Sequence, residues 1–310
     1  MMVKPGKIFI KILPLIFVLS MSVETFSQPY ENYPDTINRK RLNTVIYTSA
    51  GLYATTLGLL YFAWYKDNEL SGFHWKNDNK GWLQVDKAGH LTSAYVFTNY
   101  AYWALRWSGL NNNKSAIYGG LMGWTAMTVI EIQDGFSAEW GASGGDLLAN
   151  TLGAGLFVGQ QILWKEQRLR LKISYHPTDY AQYRPDLLGD NYMQRMLKDY
   201  NGQTMWLSAN IHSFLKEESK FPKWLNVSFG YGAKGMLGTY SNPTEHDGMP
   251  LPYYSRTRQY YFSLDIDWTR IPTNSTFLRF IFKGFSFIKA PLPALEYNKE
   301  NNFVFHWMYF

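Results

Sequence analysis

Residues 81–90 read GWLQVDKAGH, and together with 131–135 (EIQDG) and 143–154 (SGGDLLANTLGA) they decide how the chain is read. Each stretch sets a polar pair at the end of an apolar passage of helical length. Asp86 and His90 are four residues apart, Glu131 and Asp134 three, Asp146 and Asn150 four, so each pair falls on one helix face. Lys87 to Trp107 follows Asp86, a good N-cap residue, and stops at Ser108-Gly-Leu-Asn-Asn-Asn113. Lys114 to Glu131 carries Gly119, Gly120 and Gly123, small residues that let a neighbouring helix come close. Asp146 to Trp164 follows Ser143 at capping-box spacing and presents Gly153, Gly155 and Gly159 as a second small-residue face. With the uncharged passage Leu42 to Tyr65, these predict an antiparallel bundle of about four helices.

Beyond Lys165-Glu-Gln-Arg-Leu-Arg-Leu-Lys172 the pattern changes. Met205 to Phe214, Trp224 to Ala233 and Tyr260 to Thr269 alternate apolar with polar residues, as half-buried strands do. Phe277 to Lys289 fits a strand or an amphipathic helix, and the four-residue spacing of Arg279 and Lys283 favours the helix. Four or five strands are expected, fewer than the roughly eight of the smallest closed membrane barrels, so a small sheet is expected instead. The fold class is therefore α+β. Its expected divisions are a signal peptide (1–27), a linker (28–41), a helical bundle (42–172) and a β-rich C-terminal region (173–310).

The ends and the composition point to the cell envelope. Lys4, Lys7 and Lys11 precede the apolar run Ile12 to Leu19, with Thr25 and Ser27 suited to cleavage before Gln28, as in a secretory signal. That run is shorter than the roughly 20 residues a spanning helix needs. Aromatic residues make up 18% of the chain, an enrichment that suits a membrane interface. The last eight residues, FVFHWMYF, resemble the closing strand of outer-membrane β-proteins, though an ordinary buried strand would read the same way. An outer-membrane-associated or periplasmic place is favoured over the inner membrane. The formal charge is +6, or +4 once the three Lys and one Glu of residues 1–27 are removed, too little to suggest a nucleic-acid partner. With no cysteine, the chain has no disulfide, thiolate metal site or catalytic thiol.

The three polar pairs are expected to meet at one end of the bundle. Asp86, His90, Glu131, Asp134 and Asp146 would suit a divalent cation, and His90, Glu131 and Asp134 could serve as general acid and base. Each residue also has a purely structural reading. Asp86 and Asp146 fit as helix starts, Glu131 and Asp134 could brace the Gly135 turn, and His90 could be a satisfied buried histidine. Lys87, Ser143 and Asn150 complete the expected polar network.

In this order the three motifs resemble the YfiM-like family of predicted periplasmic lipoproteins of unknown function, over about residues 81–164. More distantly they resemble the VanZ-like family, whose members carry a D-K-x-x-H start and a D-x-x-x-N-x-x-G-A finish. The resemblance implies a compact helical domain in the envelope and points to Asp86, Lys87, His90, Glu131, Asp134, Ser143, Asp146 and Asn150. It implies no catalytic role, and the missing cysteine departs from the lipoprotein pattern. Three readings follow. One is a membrane-associated structural or docking protein whose partner is a lipid or an envelope protein. The second is a metal-assisted hydrolase or transferase acting on a lipid or cell-wall glycan. The third is a lipid- or glycan-binding module using Phe73 to Trp75 and Trp103 to Trp107. Composition favours the first and leaves the oligomeric state open.

Overall fold

The computed structural model describes residues 33–34, 36–61 and 69–310. The expected signal peptide, positions 28–32 and 35 of the expected linker, and the end of the first apolar passage lie outside the described residues. The described helices begin with α1 (Arg39–Leu60), capped by the Asn38 side chain, which accepts from the Arg41 amide. Next come α2 (Val85–Trp107), α3 (Asn112–Gly135) and α4 (Gly144–Leu163). No helix among the described residues is long and apolar enough to cross a membrane.

Helices α2, α3 and α4 form the body of the bundle, and α1 lies against it through Val45, which packs with Leu105 and Leu110. Small residues set the spacing. A Cβ on Gly119 would stand 2.9 Å from the Tyr102 amide nitrogen, and one on Gly153 would stand 2.1 Å from the Leu91 carbonyl oxygen. Gly155 and Gly159 have open space around them, so the close face of α4 is narrower than the sequence suggests.

A six-stranded antiparallel sheet runs in the order β1 (Leu169–Tyr175), β2 (Gln203–Asn210), β3 (Leu225–Lys234), β6 (Thr257–Ile266), β7 (Leu292–Asn298) and β8 (Asn302–Tyr309). Between β1 and β2 lie two short helices, α5 (Pro185–Leu188) and α6 (Tyr192–Lys198). The small hairpin of β4 (Glu245–His246) and β5 (Met249–Pro250) sits between β3 and β6, and α7 (Thr276–Gly284) precedes β7. The amphipathic segment after Phe277 is thus a helix. β1 and β7 fall outside the segments read as strands from the sequence, for physical reasons. β1 alternates apolar residues with Arg170 and Lys172, which turn inward instead of toward solvent, and β7 contains Pro293. β1 also straddles the expected 172/173 division. Its free edge is covered where the Ile173 amide donates to the Phe287 carbonyl and the Lys289 amide donates to the Ile173 carbonyl.

The sheet's two faces are inverted relative to an ordinary soluble sheet. One register row runs Lys172, Trp206, Gly230, Tyr261 and Glu296 across five strands, and this face is buried. Lys172 and Asp265, both 0% exposed, pair at 2.7 Å. Asp265 also accepts from Ser208, and Glu296 accepts from Gln259 and Asn298. The Trp206 indole lies over Gly230, where a Cβ would meet the ring at 2.8 Å. The neighbouring row runs Leu171, Leu207, Phe229, Phe262, Leu295 and Phe305, apolar across all six strands. Only its first end is covered, where Leu171 packs under Tyr95, Tyr102 and Phe157 of the bundle.

Candidate functional site

The polar residues singled out in the sequence sit where the bundle meets the sheet. Helix α2 is entered through a turn in which Trp82, Leu83 and Gln84 all take left-handed backbone angles, with φ of 46°, 49° and 67°. Non-glycine residues hold such angles only when their surroundings impose them. Here the Trp82 amide donates to Thr239, the Tyr231 hydroxyl donates to the Leu83 carbonyl, and Arg258 donates to the Gln84 side chain at 2.6 Å. The helix therefore starts at Val85, and Asp86 is not its cap, contrary to the sequence expectation. Freed from capping, the Asp86 carboxylate accepts from the Tyr200 hydroxyl at 2.6 Å and pairs with Lys87 at 3.3 Å.

Lys87 is the cation of the network. Its Nζ lies 2.6 Å from Asp78, 3.3 Å from Asp86 and 2.8 Å from Asp146. On α4, Ser143 caps as expected, its Oγ accepting from the Asp146 amide at 3.2 Å. The reciprocal bond of a capping box is absent. The Ser143 amide donates instead to Glu131 Oε2 at 2.9 Å, tying α3 to the start of α4. Asn150, fully buried, meets His90 Nδ1 through its Oδ1 at 3.2 Å. His90 Nε2 faces Glu131 Oε1 at 3.6 Å and Asp86 Oδ1 at 3.9 Å.

Burial and crowding shape the charges. Burial opposes a charge on Lys87, but Asp86 and Asp146 outweigh it and hold the ammonium well above the ordinary lysine range. Burial pushes the Glu131 carboxyl up to about 8, with His90 pulling the other way. Burial likewise raises Asp146 to about 6 against the pull of His90 and Lys87. For His90 the desolvation cost is outweighed by Asp86, Asp146 and Glu131, and its pKa is raised. Asp78 is lowered, because hydrogen bonds from Lys87 and Ser143 overcome its own burial. The cluster can thus hold a proton or bind a cation.

One atom each from Asp86, His90 and Asp146 lies within 4.8 Å of the other two. Glu131 adjoins them through His90, and Lys87, Ser143 and Asn150 surround them. Asp134 stands outside this gathered set, although its charge raises the pKa of Glu131 and Tyr200. Sequence reasoning missed Asp78 and Tyr200. Asp78 sits in a run of polar residues that reads as a connection, and Tyr200 is 114 positions from its partner Asp86. Of the aromatic patches, Phe73 packs edge-on to Trp75 and Phe136 while staying exposed, and Trp103 packs edge-on to Tyr100 beneath the Lys283 ammonium.

A family model described as predicted periplasmic lipoprotein (DUF2279) matches residues 72–160. The match starts ahead of α2, ends within α4 and contains the whole gathered cluster, while the sheet lies beyond it. It supports an exported envelope protein of unknown function and does not single out the YfiM-like or VanZ-like families. No curated protein and no solved structure matches the chain.

Proposed function

We propose that this protein is a membrane-associated component of the cell envelope that docks on a phospholipid bilayer through the bare outer face of its sheet. The inverted sheet carries the reading. Its buried face holds Lys172, Asp265, Lys289 and Glu296, and its outward face holds Phe229, Phe262, Leu264, Leu295, Tyr297, Phe303, Phe305 and Trp307. Polar inside and apolar outside is the polarity of a sheet facing hydrocarbon. Trp307, at 83% exposed, and Phe303, at 67%, are not residues a water-facing strand keeps in a row without a partner.

Lipid fits this surface better than a protein partner does, because the inversion extends beyond the sheet. Helix α3 buries Ser115, Ala116, Gly119 and Gly123 while exposing Ile117, Tyr118, Leu121 and Trp124. Helix α4 buries Asp146, Asn150, Gln160 and Gln161 while exposing Leu148, Leu152 and Ile162. A single protein footprint would leave a rim of charge around one patch, whereas an apolar exterior on several elements suits a bilayer. The outer membrane is the membrane we propose, supported by the aromatic closing strand β8. In this reading the Lys87 network fastens helices to sheet.

Flotation of the purified chain with phosphatidylethanolamine and phosphatidylglycerol vesicles tests the proposal. The wild type should rise with the vesicles. The variant carrying Phe262→Ser, Phe305→Ser and Trp307→Ser should stay at the bottom, with an unchanged far-UV circular dichroism spectrum. A wild type that stays behind, or that forms a lipid-indifferent dimer through this face, would sink the lipid reading. Separation of inner from outer membranes then tests which bilayer it joins.

A further inference from the structure

We infer that Asp86, His90, Glu131 and Asp146 form a binding site for a divalent transition-metal cation of the Zn²⁺ or Mn²⁺ type. The inference is independent of membrane docking. His90, Glu131 and Asp146 each have one polar atom committed to the protein and another left over, while Asp86 accepts from Tyr200 through Oδ1 and pairs with Lys87 through Oδ2, so that Oδ1 would ligate through its remaining lone pair. Asn150 holds His90 Nδ1, so that Nε2 is the atom presented to the carboxylates. The Ser143 amide holds Glu131 Oε2, and Glu131 Oε1 is buried with no hydrogen-bond partner. Lys87 holds Asp146 Oδ2, and Asp146 Oδ1 is likewise buried with no partner. Glu131 and Asp146 are 2% and 3% exposed, so solvent does not supply what is missing.

The separations suit a shared ion better than direct bonds. His90 Nε2 stands 3.6 Å from Glu131 Oε1 and 3.9 Å from Asp86 Oδ1, too far for hydrogen bonds. Two ligands held about 2.1 Å from a tetrahedral ion lie about 3.4 Å apart, so Glu131 and Asp86 stand within a few tenths of an ångström of that spacing from His90, and one atom each from Asp86, His90 and Asp146 lies within 4.8 Å of the others. An imidazole nitrogen with carboxylate oxygens is the donor set of a borderline divalent ion. Ca²⁺ takes about six to eight oxygen ligands, more than these side chains offer. Asn150 supplies the outer hydrogen bond that orients a ligating histidine, the arrangement common at metal centres. Lys87 takes the Oδ2 oxygens of Asp86 and Asp146, so it neutralises part of the charge without using the atoms the ion needs.

The full chain, treated with chelator and dialysed, is titrated calorimetrically with Zn²⁺, Mn²⁺, Ca²⁺ and Mg²⁺. One equivalent of Zn²⁺ or Mn²⁺ should bind and raise the melting temperature. Asn150→Ala, which leaves the ligands in place, should weaken that binding by about 10–100-fold. Glu131→Gln and Asp146→Asn are near-isosteric and keep the fold measurable; combined, they should abolish stoichiometric binding with an unchanged circular dichroism spectrum. Co²⁺ gives a second readout, a visible absorption band present in the wild type and lost in the double variant. A wild type that binds none of the four ions holds its cluster with a protonated imidazole alone, and that result overturns the proposal. So does stoichiometric binding that survives in the folded double variant.

Discussion

Lys289 shows at the scale of one residue how the inverted sheet is built and what it costs. Its ammonium is buried over the Trp206 ring, donates to Ser263 and the Ala290 carbonyl, and stands 4.0 Å from Asp265, which is already engaged by Lys172 at 2.7 Å. Burial pushes the Lys289 pKa down to about 8 from an ordinary 10.5, against the pull of Asp265. The sign follows from proton counting. Between those two values the unfolded chain holds a proton on Lys289 that the folded chain has released, so folding stability rises with pH across that window. Below about 8 both states are charged and the folded state carries the full desolvation cost. Lys289→Met should therefore stabilise the protein at pH 7, on the order of 1–3 kcal/mol. The melting-temperature difference between variant and wild type should shrink as pH is raised toward 10. A variant less stable than the wild type at pH 7 would show that the bonds to Ser263 and Ala290 outweigh desolvation.

At the scale of elements, the glycines of the bundle separate into two kinds. Gly153 brings α4 against α2 so closely that a Cβ would meet the Leu91 carbonyl oxygen at 2.1 Å, while Gly159 has nothing within 4 Å. Gly153→Ala should destabilise the protein by about 1–3 kcal/mol through forced separation of the helices. Gly159→Ala should stabilise it by about 0.5–1 kcal/mol through helix propensity alone. Denaturant titration of the two variants reads both, and equal effects would refute the distinction. The sequence could not separate these glycines, because spacing gives the face of a helix and not the depth of its neighbour. The same limit explains the other differences. The helix start marked by Ser143 was legible from capping chemistry. The start of α2 was not, because its left-handed turn is imposed by Tyr231 and Arg258 of the sheet and Thr239 of the loop after β3. The alternation of β3 and β6 was legible, whereas β1 hid its strand character behind Arg170 and Lys172, cations that pair with Asp267 and Asp265 about a hundred residues later. Convergence of Asp86, His90, Glu131 and Asp146 was legible as three helix-end pairs; the contributions of Asp78 and Tyr200 depend on loop and sheet placement.

At the scale of the whole molecule, the apolar row from Leu171 to Phe305 links the bundle to the open end of the sheet. The bundle covers Leu171 and leaves the β6 to β8 end bare, so one end of the row is sealed by the molecule's own helices and the other is the end for which we propose a partner. If that partner is lipid, depth of burial should differ sharply between two tryptophans of the sheet, Trp206 on β2 and Trp307 on β8. Trp206 is 1% exposed and sealed in the polar interior with Tyr261 and Tyr309, whereas Trp307 is 83% exposed beside Phe305. Vesicles whose acyl chains carry bromine quench only indoles that reach the hydrocarbon. The fluorescence lost on binding brominated vesicles should therefore be larger in the wild type than in Trp307→Phe, and it should be unaltered by Trp206→Phe where that variant folds. Quenching equal in wild type and Trp307→Phe would mean that β8 stays out of the bilayer. Attachment would then have to be sought on the apolar faces of α3 and α4, where Trp124→Phe provides the same comparison.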